Sequence, residues 1–185
     1  RDIALWDQQS CSSPQIIFVE GKNAILELAH SLTLSLSKYE GMLPRGELSF
    51  DEEAELCRER EVARFEQSLG QVEIVSNNSD NWSIIIDYSR NYRLSPLKRF
   101  IYLKFVENLD EFYKLIIDYK DYLQTVGLCV SQIQQESVIN KLALIGATRI
   151  SQFGKMVESD IDDPHDGAYA TNYFTKVIGV HLMKP

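Results

Sequence analysis

The sequence predicts an α/β fold built on a mostly parallel β-sheet, and three observations support this prediction. Predicted strands and helices alternate in the order β-α-β-α-β from Phe100 onward. Such units imply parallel strands joined by right-handed crossovers, with helices on the faces of the sheet. Two short apolar runs, at residues 16–19 and 84–86, are typical of buried strands. After the first run, apolar residues recur at the spacing of an amphipathic helix.

The first predicted helix follows the strand at residues 16–19. Asn23 is expected to be its N-cap, because asparagine side chains accept hydrogen bonds from the free amides of a first helical turn. The apolar spacing continues to about Tyr39, and Gly41 and Pro44 are expected to end the helix.

A capping box predicts the start of the second helix. Ser49 and Glu52 stand three residues apart, so each side chain can bond the backbone amide of the other residue. The helix is expected to reach about Ser68 with many charges and a thin apolar stripe. This pattern is typical of a solvated outer helix with ion pairs, and an acidic docking face is the alternative. Cys57 lies in this helix and is expected to be structural.

Five further strands and two helices are predicted in the rest of the chain. The strands are expected at residues 72–75, 82–88, 100–106, 125–130 and 149–151. Asn108 and Ser131 are expected to cap the two helices, and Gly146 to end the second. The inward face of that last helix is predicted from four apolar residues: Ile133, Val138, Leu142 and Ile145.

Length and composition fit one globular domain with a substantial core. The 185 residues are 44% hydrophobic and 25% charged, which are ordinary values for such a domain. The net charge of −8 and the lack of any Lys/Arg block argue against a nucleic-acid partner. No apolar run approaches the roughly 18 residues that a membrane-spanning helix needs, and no signal peptide is recognisable.

The three cysteines, Cys11, Cys57 and Cys129, indicate a reducing environment. Their spacing matches no metal-binding motif, so no metal site is expected. An odd number of cysteines fits the cytoplasm better than a disulfide framework. We therefore expect a cytoplasmic protein.

A polar loop with a thiol at its centre precedes the first strand. Cys11 lies in this loop, and Pro14 stiffens the backbone just after it because its ring fixes φ. A thiol in a polar turn can be reached by a substrate, and the backbone amides of the turn can hold a developing oxyanion. The alternative is that Cys11 is a small buried apolar residue, as free cysteines often are.

A resemblance to a known family begins in this loop, with the segment DIALWDQQSCSSPQ at residues 2–15. It resembles the active-site segment of the acyl-CoA reductases of the aldehyde dehydrogenase superfamily, in particular the LuxC-type fatty acid reductases of bacterial luminescence. In that family the cysteine of a D-Q-x-x-C-S-S-P-Q run is the acyl-accepting nucleophile, which implies this role for Cys11. The motif is fairly specific, since the thiol, both serines, the proline and the glutamine all match.

The resemblance covers most of the chain, although only the cysteine motif is sharp. Three further segments are similar to parts of these enzymes: residues 105–111 to the segment after the E-x-F-G-P motif, residues 164–167 to an H-D-G run, and residues 173–182 to the C-terminal oligomerisation strand. The implied fold is an aldehyde-dehydrogenase-like catalytic domain with three layers and a mostly parallel sheet. Residues 1–170 would form this thiol-bearing domain and residues 171–185 the oligomerisation strand, with a nucleotide-binding domain upstream of Arg1.

Two departures from the superfamily pattern bear on activity. Residues 91–96 replace E-x-F-G-P, and only Pro96 matches. In hydrolytic relatives the glutamate of that motif activates the water that cleaves the acyl-enzyme, so its loss is consistent with transfer of the acyl group to hydride or a thiol. No G-x-G-x-x-G or P-loop spacing occurs in the sequence. This chain is therefore expected to be a fragment of a longer enzyme, and alone to bind no nicotinamide and to be inactive.

The activity that the resemblance implies is reduction of a long-chain acyl thioester. Cys11 would accept the acyl group from acyl-CoA or an acylated protein, and NADPH would reduce the acyl-cysteine to a fatty aldehyde. Expected partners are the acyl thioester, acyl-transferring proteins of a fatty acid reductase complex, and further copies of the chain. His165 is either a general base or a solvated turn residue, while His30 and His181 are expected to be structural.

Two other functions remain open from the sequence. One is a non-catalytic α/β oligomerisation or interaction domain that keeps the thiol loop as a scaffold. The other is a thiol acyltransferase without a redox step.

Overall fold

A four-stranded β-sheet with one long helix on each face forms the centre of the structure. The computed structural model describes residues 1–76, 80–89, 91–176, 178 and 179. The strands are β1 (Ile16–Glu20), β2 (Val72–Ser76), β3 (Ser83–Asp87), β4 (Phe100–Val106), β5 (Thr125–Leu128) and β6 (Arg149–Gln152). The α-helices are α1 (Lys22–Met42), α2 (Phe50–Ser68), α3 (Leu109–Ile116) and α4 (Gln132–Ile145).

The central sheet has the strand order β1-β4-β3-β2 and is mostly parallel. β4 pairs in parallel with β1 and β3, and β2 pairs antiparallel with β3 at the edge. All five residues of β3 are buried, as expected for a central strand covered on both faces. The predicted α/β class with a mostly parallel sheet is therefore confirmed.

The β-α-β-α-β series that begins at Phe100 does not form one sheet, and this part of the prediction was wrong. β4 pairs only with strands of the central sheet, whereas β5 and β6 form a separate parallel pair. The four residues of β5 are only half-buried, so this strand lacks the fully buried character of β3. The alternation of strands and helices predicted the parallel direction of the β5–β6 pair correctly, but it does not determine which sheet each strand joins.

Two apolar clusters hold the helices against the two faces of the central sheet. α1 contributes Ile25, Ala29 and Leu36 to the first cluster, which packs on one face against alternate residues of β1, β3 and β4. α2 contributes only Leu56 and Ala63 to the second cluster, on the opposite face. The sheet and these helices therefore make three layers, and α2 has the thin apolar stripe that its sequence predicts.

A third cluster joins α3 and α4 to the β5–β6 pair. Its buried residues are Tyr113, Ile116, Val138, Leu142 and Ile145. Phe18 of β1 packs against this cluster, and its ring lies 5.0 Å from the ring of Phe112. This edge contact connects the smaller sheet to the central one. Ile133, predicted to face inward with these residues, is instead 95% exposed in the first turn of α4.

The helix ends show which predicted caps form. The Ser49–Glu52 capping box is present with both hydrogen bonds, and the Asn108 side chain accepts from the Glu111 amide at 3.0 Å. Asn23 is not the N-cap of α1, because the helix already begins at Lys22 after Gly21, whose φ of 95° favours glycine. α1 also continues through Gly41 to Met42.

The predicted C-terminal oligomerisation strand is described only in part. Ala170–Tyr173 form a 3-10 turn, and residues 174–176, 178 and 179 belong to no strand. The other residues of the predicted segment, including His181, lie outside the described residues. The assembly role of residues 171–185 therefore stays a prediction.

The two caps predicted for α3 and α4 give a matched pair of stability tests. Ser131 forms no capping bond to a backbone amide; its hydroxyl donates to the Gln134 side chain instead. We expect Asn108→Ala to lower the free energy of unfolding by about 1 kcal/mol. Ser131→Ala should cost clearly less in urea denaturation. Equal losses in the two variants would contradict the assignment of Asn108 as the functional cap.

Candidate functional site

The thiol loop, residues 5–15, begins with a left-handed turn. Leu5–Gln8 is a 3-10 segment in which Trp6, Asp7 and Gln8 have φ values of 56°, 48° and 62°. Each non-glycine residue in this conformation costs roughly 1–2 kcal/mol, because its Cβ approaches the following carbonyl oxygen. The turn therefore needs contacts from elsewhere in the chain to stay in place.

A second left-handed turn precedes β4 and provides such contacts. Leu97, Lys98 and Arg99 have φ values of 67°, 57° and 66°. The Lys98 amide donates to the Asp7 carbonyl at 2.9 Å, so the two turns are bonded backbone to backbone. Because β1 and β4 are parallel neighbours, the segments that precede them meet at the same end of the sheet, where both strands begin. The two turns lie at that end.

An ion pair between Asp7 and Arg99 joins the same two turns. Arg99 Nε donates to Asp7 Oδ1 at 2.6 Å, and the Arg99 side chain is 1% exposed. The second carboxylate oxygen, Asp7 Oδ2, accepts from the Gly46 amide at 2.9 Å. The burial of Arg99 is not predictable from local sequence, because its partner is 92 residues away and a basic residue just before a strand carries no local signal of burial.

Gln8 connects the two ends of the thiol loop. Its buried side-chain nitrogen Nε2 donates to the Pro14 carbonyl at 2.9 Å and to the Phe100 carbonyl at 3.2 Å. The first bond closes the loop around Cys11, and the second ties it to the first residue of β4. These two contacts give Gln8 a positioning role in the loop.

Cys11 lies exposed at the tip of this braced loop, in a turn. The Ser13 amide donates to the Ser10 carbonyl at 2.9 Å, and the Ser12 amide donates to the Ser10 hydroxyl at 3.3 Å. Among the described residues, the Cys11 amide has no acceptor. Because Cys11 is exposed, the alternative of a buried apolar cysteine is excluded.

Exposure alone does not distinguish Cys11 from the other two cysteines. Cys57 and Cys129 are also exposed, so the expectation that Cys57 is a packed structural residue was wrong. What sets Cys11 apart is its surroundings: a loop braced at both ends. Gln9 and Gln15 of the same loop are exposed.

His30 and His165 lie apart from this arrangement. His30 is exposed on α1, and His165 is exposed in a turn where its Nδ1 lies 3.1 Å from Asp166 Oδ2. No hydrogen bond or ion pair of the described residues connects either side chain to the thiol loop. The solvated-turn interpretation of His165 therefore fits the structure better than a general-base role.

Two cavities occur near the strands, and Cys11 lines neither of them. One is a tight crevice on the α2 face of the sheet, between these residues: Ile16, Phe18, Asp87, Tyr92, Arg93, Tyr102, Lys104 and Leu115. The other, of about 320 Å³, is lined by Leu128, Cys129, Val130, Gln135, Gln152 and Phe153. Cys11 is exposed on the surface of the described residues, away from these two cavities.

A buried ion cluster fills the floor of the first crevice. Lys104 Nζ donates to Asp87 Oδ2 at 2.9 Å and to the Asn91 carbonyl at 2.7 Å. Burial lowers the pKa of the Lys104 ammonium, and the bond to Asp87 opposes that shift. Arg93 forms a bidentate pair with Glu66, at 2.5 and 2.6 Å, and this bond raises the pKa of the arginine. Within residues 91–96, Asn91 and Arg93 therefore bond charged groups of this cluster.

The described part of the chain has neither a metal-binding cluster nor a membrane-spanning helix. No group of three or more histidine, cysteine, aspartate or glutamate side chains there has the geometry to bind a metal ion. No helix of that part is both long and apolar enough to cross a bilayer.

The structure is that of an α/β domain with an exposed thiol in a braced loop, and comparison with known proteins assigns its family. The family model described as acyl-CoA reductase (LuxC) matches residues 1–177. This chain therefore belongs to the LuxC acyl-CoA reductase family.

Individual relatives agree with this assignment. The chain is 27% identical to the long-chain acyl-protein thioester reductase of Aliivibrio fischeri over 178 residues, which are 96% of this chain and 36% of that protein. It is 29% identical to long-chain acyl-protein thioester reductase 2 of Photobacterium leiognathi, over 90% of this chain and 33% of the relative. The chain thus spans about a third of the length of these relatives.

The buried Lys104–Asp87 pair supports a prediction on stability. Lys104→Met should lower the free energy of unfolding by about 3–5 kcal/mol, because it leaves the buried Asp87 carboxylate without its ammonium partner. Arg58→Met is the control, since Arg58 pairs with Glu55 and Glu59 on the exposed side of α2. It should cost less than about 1 kcal/mol in the same urea titration. Similar losses in both variants would contradict the burial of the pair.

The Glu52–Lys98 ion pair predicts an acid-sensitive step. The bond to Lys98, at 2.8 Å, and the capping bond to Ser49 lower the pKa of Glu52 from 4.5 to about 2. A carboxyl group whose pKa is depressed in the folded state stabilises it above its unfolded pKa. This contribution should therefore be lost as the pH falls from 4.5 towards 2. Glu52→Gln should reduce the pH dependence of unfolding in that range, and an unchanged profile would refute the pairing.

Proposed function

We propose that this chain carries the acyl-accepting thiol of an NADPH-dependent long-chain acyl thioester reductase, with Cys11 as the nucleophile. The observation that supports this role best is that Cys11 is exposed at the tip of a loop braced by Asp7 and Gln8. Membership of the acyl-CoA reductase family supports the reaction class. The names of the curated relatives support an acyl thioester as the substrate.

The acyl-transfer step follows from the chemistry of a thiolate. The Cys11 sulfur forms a bond to the carbonyl carbon of a long-chain acyl thioester, and the carbonyl oxygen gains a negative charge. Collapse of this intermediate breaks the bond to the departing thiolate, which leaves as CoA or as the thiol of a carrier protein. The product is an acyl-cysteine, a thioester that stays electrophilic enough to accept hydride.

Backbone amides of the loop are the donors that this chain offers to the oxyanion. The Cys11 amide is placed beside the sulfur by its own residue, and it forms no bond to another described residue. A donor fixed before the reaction stabilises a developing charge without reorganisation. The loop braces would act by keeping this amide and the sulfur in one relative orientation.

The sequence has no G-x-G-x-x-G or P-loop spacing, so we assign no reduction step to the residues of this chain. NADPH, when bound by another part of the enzyme, would supply the hydride that releases a fatty aldehyde. We also propose that the chain associates with further copies of itself through residues 171–185 and receives acyl groups from acyl-transferring partner proteins. The proposed location is the cytoplasm, and the proposed role of the fatty aldehyde is in luminescence.

Acylation of Cys11 can be tested directly in the full-length protein. Incubation with a radiolabelled long-chain acyl-CoA should give a hydroxylamine-sensitive label on the protein, because thioesters are cleaved by hydroxylamine. Cys11→Ala should abolish the label. Cys57→Ala and Cys129→Ala are matched controls, since both thiols are exposed, and both variants should keep the label.

The alternatives predict other results in the same experiment. No label on the unaltered protein would favour a non-catalytic interaction domain. A label without NADPH-dependent release of aldehyde would favour an acyltransferase. Equal labelling of the three alanine variants would show that Cys11 is not the nucleophile.

A further inference from the structure

We propose that Arg99 is a positioning residue for acyl transfer: it holds Asp7, and thereby the thiol loop, in the conformation that presents Cys11. This inference rests on the proposed role of Cys11. Arg99 itself contacts no part of the Cys11 side chain and acts through Asp7.

The guanidinium of Arg99 joins its own turn to two other segments of the chain. Besides its bond to Asp7 Oδ1, it donates from Nη2 to the Leu43 carbonyl at 2.8 Å and to the Ala4 carbonyl at 3.3 Å. Leu43 follows α1, and Ala4 precedes the left-handed turn of the thiol loop. One buried cation therefore fixes the start of the loop relative to the helix layer.

Asp7 transmits this constraint because each of its three oxygen atoms accepts a hydrogen bond. Its two carboxylate oxygens bond Arg99 and Gly46, and its carbonyl bonds the Lys98 amide. Asp7 is also the central residue of a left-handed turn that L-residues disfavour. Loss of the Arg99 bond would allow the backbone to relax to a right-handed conformation.

Relaxation at Asp7 would move the thiol, because only three residues separate Asp7 from Cys11. Gln8, the next residue of the turn, bonds Pro14 on the far side of the thiol. A change in the backbone conformation of the turn would therefore alter the position of the chain both before and after Cys11. The expected effect is on orientation of the sulfur and the amide, and not on exposure of the sulfur.

Lysine cannot replace Arg99 in this role. The acceptors on Asp7, Leu43 and Ala4 lie in different directions and are reached from Nε and Nη2 of one planar group. A lysine keeps the positive charge but has a single ammonium without that fork. Arg99→Lys therefore removes the geometry while it retains the charge.

The test compares two reactions of the same thiol in the full-length protein. One is the single-turnover rate of Cys11 acylation at saturating long-chain acyl-CoA. The other is alkylation of Cys11 by iodoacetamide, a displacement reaction that forms no oxyanion. Arg99→Lys should slow acylation about tenfold or more, since small misplacements of reacting groups are costly. Alkylation should stay close to the rate of the unaltered protein.

Arg93→Lys is the matched control, because Arg93 also forms a close pair with a carboxylate, that of Glu66, in the part-buried interior. Its acylation rate should be unchanged. If Arg99→Lys does not fold, as judged by circular dichroism, Asp7→Asn removes the charge of the pair with little change in shape. It should also slow acylation selectively.

Three results would overturn the proposal. Normal acylation in folded Arg99→Lys and Asp7→Asn would show that the pair does not position the thiol. A parallel fall in acylation and alkylation would show that Arg99 only supports stability. An unaltered protein that is alkylated but never acylated at Cys11 would refute the role of Cys11 itself, and this inference with it.

Discussion

The structure around the thiol depends on the ion pair between Asp7 and Arg99. It holds together two turns whose backbone conformation L-residues disfavour, so neither turn is stable through local interactions. The Arg99 side chain is 1% exposed and that of Asp7 is 17% exposed, and a pair taken out of water needs further hydrogen bonds to be stabilising. Here the Gly46 amide donates to Asp7, and Arg99 donates to the carbonyls of Leu43 and Ala4, while Arg99 Nη1 is buried without a hydrogen-bond partner among the described residues. A surface loop thereby gains a fixed geometry from a polar contact inside the domain.

The topology of the central sheet explains why this contact forms at all. β1 and β4 are parallel neighbours although about 80 residues separate them in the sequence, so the segments before them meet at one edge of the sheet. Asp7 precedes β1 and Arg99 precedes β4. The second buried pair, Lys104 with Asp87, lies further along β4 and at the end of β3. Both charge pairs therefore constrain β4: the first joins the segment before it to the segment before β1, and the second joins it to β3.

Local patterns predicted the elements of this structure well and their assembly only in part. The strand after the thiol loop, the capping box at Ser49 and the cap at Asn108 depend on adjacent residues, and all three formed as expected. The separation of the β5–β6 pair depends on which apolar surfaces meet in space, and alternation along the chain does not contain that information. Arg99 was missed for the same reason, because its burial is decided by Asp7.

The cysteine motif identified the family, but the sequence could not explain why one thiol among three should react. All three are exposed, so access to solvent does not select Cys11. A thiolate becomes an efficient acyl acceptor when its orientation relative to the oxyanion donor is fixed before the substrate arrives. Gln8 and Asp7 supply that constraint on the chain just before Cys11, and Gln8 extends it to Pro14 beyond the thiol. The selectivity proposed for Cys11 thus depends on the conformation of the backbone that carries the sulfur. The motif residues Asp7 and Gln8, which precede the cysteine, hold that backbone in place.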